Sequence, residues 1–369
     1  MKSRALDKNG KTAITRAIAW LRSSITWWPG LLLSILAIVI LLRVVSWKEV
    51  WSAWASAGPW VIVPALVLMA LAQLARAMGW RYLVGQKLGL SRSFSVLNVS
   101  YLLNSLLPLR LGDLGRAVLA GLPKAGVSPL SASSALSAVV VERVVDLLVT
   151  GLLGLSAIAL FAGASWVSRA LEVTLALAVL GTLALFALAV TRAGIVKAAR
   201  RGLGRVAWLE PWVVRLDEFL AGIQVVGQWG VAVPAVAGIL AAWLAWILEY
   251  WVILEGFVPG ASWKLALAAL AGGALGAMLP SSPNAVGVYE VAVVGVLSVA
   301  GMSPGRALAF ALSIHFLNTI GVIVLGAWGL LQEGQTLGEL VTAVMEIRGS
   351  KQPGEASGTQ APPDKTGGG

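Results

Sequence analysis

The sequence predicts an all-α polytopic membrane protein with about six full transmembrane helices and two broken, re-entrant helical hairpins. The 369-residue chain is 58% hydrophobic and 12% charged, whereas a soluble domain has roughly 25% charged residues. Apolar runs recur from end to end. Two stretches within them, residues 104–116 and 279–290, combine helix breakers with ionisable groups. In lipid, a broken helix leaves backbone N–H and C=O groups without hydrogen-bond partners. Two such breaks in corresponding positions of one chain therefore indicate a substrate site near mid-membrane.

The composition excludes several classes of chemistry. The chain has no cysteine and one histidine, His315, which excludes disulfides and thiol chemistry and disfavours a metal centre. We therefore expect no cofactor. The formal charge is +11, but the basic residues lie in termini and short loops. There they act as topology signals and contacts for anionic lipid, so we expect no nucleic-acid partner.

The chain begins with a basic cytoplasmic segment over 1–26. The first span is predicted over Trp27–Val45 as an uncleaved helix. Trp47, Trp51 and Trp54 then form one face at i, i+4 and i+7. Such an aromatic face is typical of an amphipathic helix in the membrane interface.

The first broken hairpin follows the second span, Pro59–Met78. It consists of two short helical arms, Ser93–Leu107 and Arg116–Leu122. Pro108 and Gly112 interrupt them, because proline removes a backbone donor and glycine weakens a helix.

The middle of the chain predicts three more spans and an elbow. Leu130–Ala162 is long enough to be tilted, and Ala170–Thr191 returns across the membrane. The basic segment 192–215 is predicted as a cytoplasmic amphipathic elbow, and Val231–Leu254 spans again.

The second broken hairpin has arms over Leu265–Leu279 and Val286–Ala300. The last span is Ala307–Leu330, so the membrane domain covers 27–331. The polar tail, 332–369, is predicted to lack a core and to be largely disordered. The break residues of this hairpin are Pro280, Pro283 and Gly287.

The distribution of Lys and Arg predicts the orientation. The N-terminus and the connections at 81–92 and 192–215 are the basic ones, so they and the C-terminus are placed in the cytoplasm. Segments 59–162 and 231–330 would then cross the membrane in opposite directions. They are candidates for an inverted repeat.

Three ionisable residues lie inside the third span, Glu142, Arg143 and Asp146. A charge at this depth costs roughly 2.5–3.5 kcal/mol, so they must face partners or water. The expected partners are Arg110 and Arg116. Two interpretations stay open and are compatible: a structural salt-bridge network, or a partly neutralised cage in which arginine binds an anionic headgroup.

Other candidate residues lie in the breaks or at a span end. Glu290 follows a half-helix N-terminus, where free N–H groups are available. Helix capping and snorkelling are the plain alternatives for these groups. The predicted substrate-binding residues are Arg76, Arg81, Asn104, Arg110, Asp113, Arg116, Glu142, Arg143, Asp146, Ser282 and Glu290. The carboxylates are expected to orient the arginines or to contact a cationic part of the headgroup.

The sequence contains no recognisable catalytic motif. Nucleophile-elbow, P-loop and zinc-protease patterns are absent. Glu142 and Asp146 are candidates for a general acid and base, but nothing else in the sequence builds a reaction around them. We predict a transporter rather than an enzyme and no catalytic residue.

At these motifs the chain resembles the lysylphosphatidylglycerol synthase transmembrane-domain family, the flippase-like integral membrane proteins. The resemblance rests on four motifs. They are Arg76-x4-Arg81; Asn104-x3-Pro108-x-Arg110-x-Gly112-Asp113-x2-Arg116; Glu142-Arg143-x2-Asp146; and Pro280-x2-Pro283-x3-Gly287-x2-Glu290.

The resemblance implies translocation of a phospholipid or other polar lipid across the inner, cytoplasmic membrane. We expect a stand-alone member without the soluble synthase domain, because only 38 residues follow Leu331. Asp113 and the Asn284-Ala285 pair depart from the family pattern, which could mean a different headgroup. The alternative is an accessory protein or enzyme of envelope-lipid or lipid-linked-glycan biosynthesis, with a lipid-biosynthesis enzyme as its partner.

Overall fold

The computed structural model describes residues 28–107, 110–124, 130–162, 190–201, 210–224, 227–279 and 281–349, with scattered positions between 176 and 188. Its regular elements are helices. We number the α-helices α1 (Trp28–Val44), α2 (Trp47–Ser56), α3 (Ile62–Leu83), α4 (Leu90–Leu106), α5 (Gly112–Gly121), α6 (Ala132–Ala162), α7 (Glu210–Gln224), α8 (Trp229–Phe257), α9 (Trp263–Met278), α10 (Val288–Val299), α11 (Pro304–Glu333) and α12 (Leu337–Gly349). Residues 190–201 are also helical.

The first span and the tryptophan-rich helix form a bent pair. The axes of α1 and α2 differ by 83°. Trp51 is exposed, as an interfacial residue should be. Trp54 instead donates its indole N–H to the Ala309 carbonyl and the Ser313 hydroxyl at 3.2 and 3.0 Å. The predicted interface helix is therefore also anchored on α11.

Within the part of the chain that the structure describes, three helical segments can cross a membrane by length and composition: Pro59–Leu83, Trp229–Phe257 and Pro304–Glu333. The bent pair α1–α2 raises the number to four. This is fewer than the six full spans predicted. The 31-residue α6 is long enough but carries three ionisable residues in its first half, and the predicted span Ala170–Thr191 lies largely outside the described residues.

The first predicted hairpin is formed by α4 and α5. Its break includes Arg110 with φ +54°; Pro108 lies outside the described residues. Gly112 begins α5, and a Cβ atom there would lie 2.0 Å from the Ser100 carbonyl oxygen. Glycine is therefore required because the two arms of the hairpin touch backbone to backbone.

The second predicted hairpin is formed by α9 and α10, with a 3₁₀ turn at Pro283–Ala285 between them. Three residues adopt positive φ in this break, Asn284, Ala285 and Gly287. A Cβ atom on Gly287 would also lie 2.9 Å from the Ser34 carbonyl oxygen of α1. Pro280 lies outside the described residues.

The helices of segments 59–162 and 231–330 pack in corresponding pairs. α3 contacts α4 as α8 contacts α9, α4 contacts α11 as α9 contacts α6, and α5 contacts α6 as α10 contacts α11. Helices α3 and α8 run antiparallel, because Gly58 at one end binds Gly256 while Gly79 at the other approaches the Ala235 carbonyl.

The segment predicted as a polar tail contains α12, which begins five residues after the predicted start of the tail. Leu340 and Val344, one helical turn apart, are buried. Thr336 and Glu339 cap the helix reciprocally through their side chains and backbone N–H groups. The predicted disorder beyond residue 349 and the basic N-terminal segment lie outside the described residues.

Candidate functional site

A cavity of about 580 Å³ lies between the two halves of the helical domain. Helices α3, α4 and α6 with the first break supply one side of its wall, and α8 to α11 with the second break supply the other. This volume is within the range of small-molecule and cofactor sites. Two clusters of polar residues contribute to this wall, one from each half.

The arginine cluster surrounds Glu142 on α6. Arg116 of α5 donates to its Oε2 at 2.8 Å, and Arg76 and Arg143 donate to its Oε1 at 2.9 and 2.8 Å. Glu142 and Arg116 are fully buried. Charge-assisted hydrogen bonds of this kind are the strong ones, so Glu142 fixes three guanidinium groups that come from three helices.

Asp146 is the second acceptor of this cluster. Both of its oxygens accept from the Arg76 guanidinium, and Trp243 of α8 donates its indole N–H at 3.1 Å. Arg143 Nη1 lies 3.2 Å from Asp146 Oδ2. The carboxylate is fully engaged, and it connects the two halves of the domain.

Asp113 completes the arginine cluster and balances its formal charge. It lies 3.6 Å from Arg143 and 3.7 Å from Arg116, and Asn104 donates to it at 3.3 Å. Three arginines thus face three carboxylates. Arg110 adds a positive charge beside this cluster: it lines the cavity and, among the described residues, has no carboxylate within 4.0 Å.

The second cluster lies on α10, α11 and the second break. Glu290 accepts from the Gly287 backbone N–H at 2.6 Å, and His315 Nδ1 lies 2.5 Å from its other oxygen. Asn284 donates to Thr319 Oγ1 at 2.8 Å and lies 2.9 Å from His315 Nε2. The polar side chain of Asn284 thereby holds the break in its positive-φ conformation.

A tyrosine pair and a buried carboxylate lie beside this second cluster. The Tyr250 and Tyr289 hydroxyl groups are 2.6 Å apart. Glu249 is fully buried and accepts from Asn318 at 3.1 Å; its Oε2 has no partner among the described residues. Glu249 is not part of the cavity wall.

The rim of the cavity is apolar where α4 and α9 end. Leu107, Met278 and Leu279 line this part, and Leu279 is 51% exposed. An apolar rim beside a polar interior suits a molecule that is polar at one end and apolar at the other.

The predicted site residues divide into three groups. Those in the cavity wall are Arg76, Asn104, Arg110, Arg143, Asp146 and Ser282. Asp113, Glu142 and Glu290 lie behind the wall and bind residues that line it, and Arg116 lies behind it and binds Glu142. Arg81 lies at the end of α3, outside the wall, and donates to the Leu88 carbonyl at 3.3 Å.

Several wall residues are absent from the sequence-based prediction, among them Trp243, Trp246 and Tyr250. Their spacing places them on one face of α8, but in an apolar span such a face is equally typical of helix packing. The Trp243 and Trp246 rings pack edge to face with centroids 5.3 Å apart, and the Arg76 guanidinium lies over the Trp246 ring.

Comparison with known proteins gives one family and a distant relative. The model of the lysylphosphatidylglycerol synthase TM region matches residues 27–326. The glycosyltransferase AglD of Haloferax volcanii is 25% identical to this chain over an alignment of 391 residues. The alignment covers 92% of this chain and 62% of AglD. The chain therefore spans about three fifths of that relative. No solved structure matches the chain significantly.

Proposed function

We propose, on the premise that the chain belongs to the lysylphosphatidylglycerol synthase TM-region family, that it moves a polar or anionic lipid across the cytoplasmic membrane. The headgroup would pass through the cavity while the acyl chains stay in the bilayer. The observation that carries this proposal is the cavity itself. It exposes arginine inside an apolar helical domain and has an apolar rim beside its polar interior.

The arginines have two different roles in this proposal. Arg110 and Arg143 contact the lipid phosphate, because both line the cavity and Arg143 keeps a quarter of its side chain exposed. Planar guanidinium groups bind phosphate oxygens in pairs. Arg116 is buried on Glu142, so it acts by positioning: it holds the carboxylate that holds Arg143.

The two halves are proposed to be inverted repeats, which the polar pairs support. Arg76–Asp146 in the first half corresponds to Glu249–Asn318 in the second. Arg116–Glu142 corresponds to Glu290–His315. Each of these residues in the first half precedes its counterpart in the second half by nearly the same number of positions.

Inverted halves provide a simple route across the membrane. The antiparallel contact of α3 with α8 is the natural axis between them, and rocking of one half against the other would open the cavity to each leaflet in turn. The same scheme requires six full spans with both termini in the cytoplasm. That topology is part of the proposal.

The test is leaflet exchange of fluorescent phospholipids in proteoliposomes, read by dithionite quenching. Wild-type protein should expose lipid from the inner leaflet, and Arg143→Gln should reduce the rate at least tenfold. Arg306→Gln is the matched control, because Arg306 is exposed and lies outside the cavity wall. Folded wild-type protein that exchanges no lipid, or equal rates in all three proteins, would refute the proposal.

A second candidate function is a role in lipid-linked-glycan biosynthesis. It is favoured by the similarity to AglD, which is named as a glycosyltransferase. In this case the cavity would hold a lipid phosphate for a reaction carried out by this chain or by a partner. Turnover of a lipid-linked sugar donor by the purified protein, or co-purification with a synthase, without leaflet exchange, would favour this alternative.

A further inference from the structure

We infer that the cavity selects a lipid phosphodiester whose headgroup is otherwise uncharged and rich in hydroxyl groups, and that it rejects headgroups carrying ammonium groups. This inference rests on the proposed lipid-binding role of the cavity and specifies its substrate. Three features carry it: the charge of the arginine cluster, the engagement of the nearby carboxylates and the polar groups of the wall.

The charge of the arginine cluster together with Arg110 fits a single phosphodiester. Arg76, Arg116 and Arg143 are balanced by Asp113, Glu142 and Asp146. Arg110 is then one positive charge in excess, and a phosphodiester supplies one negative charge. A lysylated phosphatidylglycerol adds two ammonium groups to its phosphate, which would leave uncompensated positive charge in an apolar domain. Such charge is costly there.

The carboxylates of the cavity region are not available to an ammonium group. Asp146, the carboxylate in the cavity wall, accepts from Arg76 and Trp243 and forms an ion pair with Arg143 at 3.2 Å. Both oxygens of Glu290 are engaged, by the Gly287 N–H and by His315. Glu249 has a free oxygen but is fully buried outside the wall. A cationic headgroup would therefore find no carboxylate to bind among the described residues.

The rest of the wall offers neutral hydrogen-bonding groups. Hydroxyl and amide side chains both donate and accept hydrogen bonds. They can therefore pair with the hydroxyl groups of a polyol, which also donate and accept. Ser281 and Ser282 are partly exposed at the second break. The neutral polar residues that line the cavity together with Arg110 and Arg143 include Asn104, Ser281, Ser282, Asn284, Tyr250 and Asn318.

The aromatic face of α8 adds to this recognition. Trp243 and Trp246 line the cavity beside Tyr250. Their rings offer apolar faces on which the C–H groups of a polyol ring can pack, while the indole N–H of Trp243 is already bound to Asp146. Aromatic surface with surrounding hydroxyl and amide groups thus favours a cyclic, hydroxylated headgroup.

The experiment compares three acyl-labelled lipids in proteoliposomes: phosphatidylglycerol, phosphatidylinositol and lysylphosphatidylglycerol. The first and third differ by the lysyl ester. Phosphatidylinositol controls for headgroup bulk without adding positive charge. Wild-type protein is expected to exchange phosphatidylglycerol and phosphatidylinositol at least tenfold faster than lysylphosphatidylglycerol.

A charge-introducing variant makes the test independent of the wild-type rates. Ser281 lines the cavity and makes no side-chain hydrogen bond among the described residues, so Ser281→Asp should be tolerated. This variant supplies a carboxylate. The ratio of the phosphatidylglycerol exchange rate to the lysylphosphatidylglycerol exchange rate should therefore fall at least threefold. Ser281→Asn has similar size and no charge, and it should keep the wild-type ratio.

The outcomes separate this inference from the proposed function. Equal exchange of all three lipids, or faster exchange of the lysylated lipid, would overturn the selectivity and leave lipid translocation standing. An unchanged ratio in Ser281→Asp would likewise overturn it. No exchange of any lipid by folded protein would overturn both.

Discussion

Glu142→Gln is expected to destabilise the protein by about 3–5 kcal/mol, the usual cost of removing one partner from a buried ion pair. Glu142 is 1% exposed and accepts from three guanidiniums at 2.8 to 2.9 Å. Without its charge, three arginines face two carboxylates. The amide nitrogen of glutamine would also have to point at one of the guanidiniums, which can only donate.

The free energy of unfolding can be measured by titrating mixed micelles with SDS and following tryptophan fluorescence. A loss of this size lowers the ratio of folded to unfolded protein by about 100-fold to several thousand-fold, since about 1.4 kcal/mol is a factor of ten. Arg143→Gln is the control within the same cluster. Its side chain is 25% exposed, so water screens the change and the loss should be clearly smaller.

A double variant tests the reasoning itself. Glu142→Gln combined with Arg116→Gln restores the charge balance. The double variant should therefore lose less free energy of unfolding than the sum of the losses in the two single variants. Additive losses would refute the role of charge balance. A loss for Glu142→Gln within about 0.5 kcal/mol, the range of ordinary surface substitutions, would refute it as well.

Two further predictions concern the helix breaks, with unfolding measured as above. Gly112→Ala should cost about 1–3 kcal/mol or more, because its Cβ would lie 2.0 Å from the Ser100 oxygen; Gly295→Ala, with open space around it, should be neutral or stabilising. A loss as large for Gly295→Ala would contradict this. Gly287→Ala should lower the free energy of unfolding by about 1–3 kcal/mol, because Gly287 has a φ of +86° and α1 packs against it. Gly338→Ala is the unstrained control. Equal stability of these last two variants would contradict the strain argument.

The helical architecture was predictable where a local signal exists. Both helix breaks are marked by proline and glycine inside apolar sequence, and the structure has broken hairpins there: α4 with α5, and α9 with α10. The buried charges of α6 are equally visible, because ionisable residues in a long apolar run demand partners. What the sequence could not specify is which partners they find.

Arg76 illustrates the limit. Hydropathy ends the second span near residue 78, which makes Arg76 a snorkelling residue at the membrane edge. The helix instead continues to Leu83, and the guanidinium is 2% exposed and bound to Glu142 and Asp146. Helix continuation beyond an apolar run depends on tertiary contacts, such as those between α3 and α8, which leave no local pattern.

The short helix α12 shows the same limit at the C-terminal end. Two apolar residues one turn apart are too weak a signal for a core within a polar segment. Val344 packs near Gly115 of α5, where a Cβ atom would lie 3.6 Å from the Val344 Cγ2. A surface of this kind is defined only once the first hairpin has folded.

The most direct test of the central claim is to fill the cavity and measure leaflet exchange. Ala274 of α9 lines the cavity, whereas its neighbour Leu275 is 46% exposed and lies outside the wall. Both residues are replaced by tryptophan, and both variants are checked for wild-type unfolding behaviour. If lipid headgroups pass through the cavity, Ala274→Trp should abolish exchange and Leu275→Trp should leave it unchanged. Wild-type exchange by a folded Ala274→Trp protein would contradict a route through the cavity.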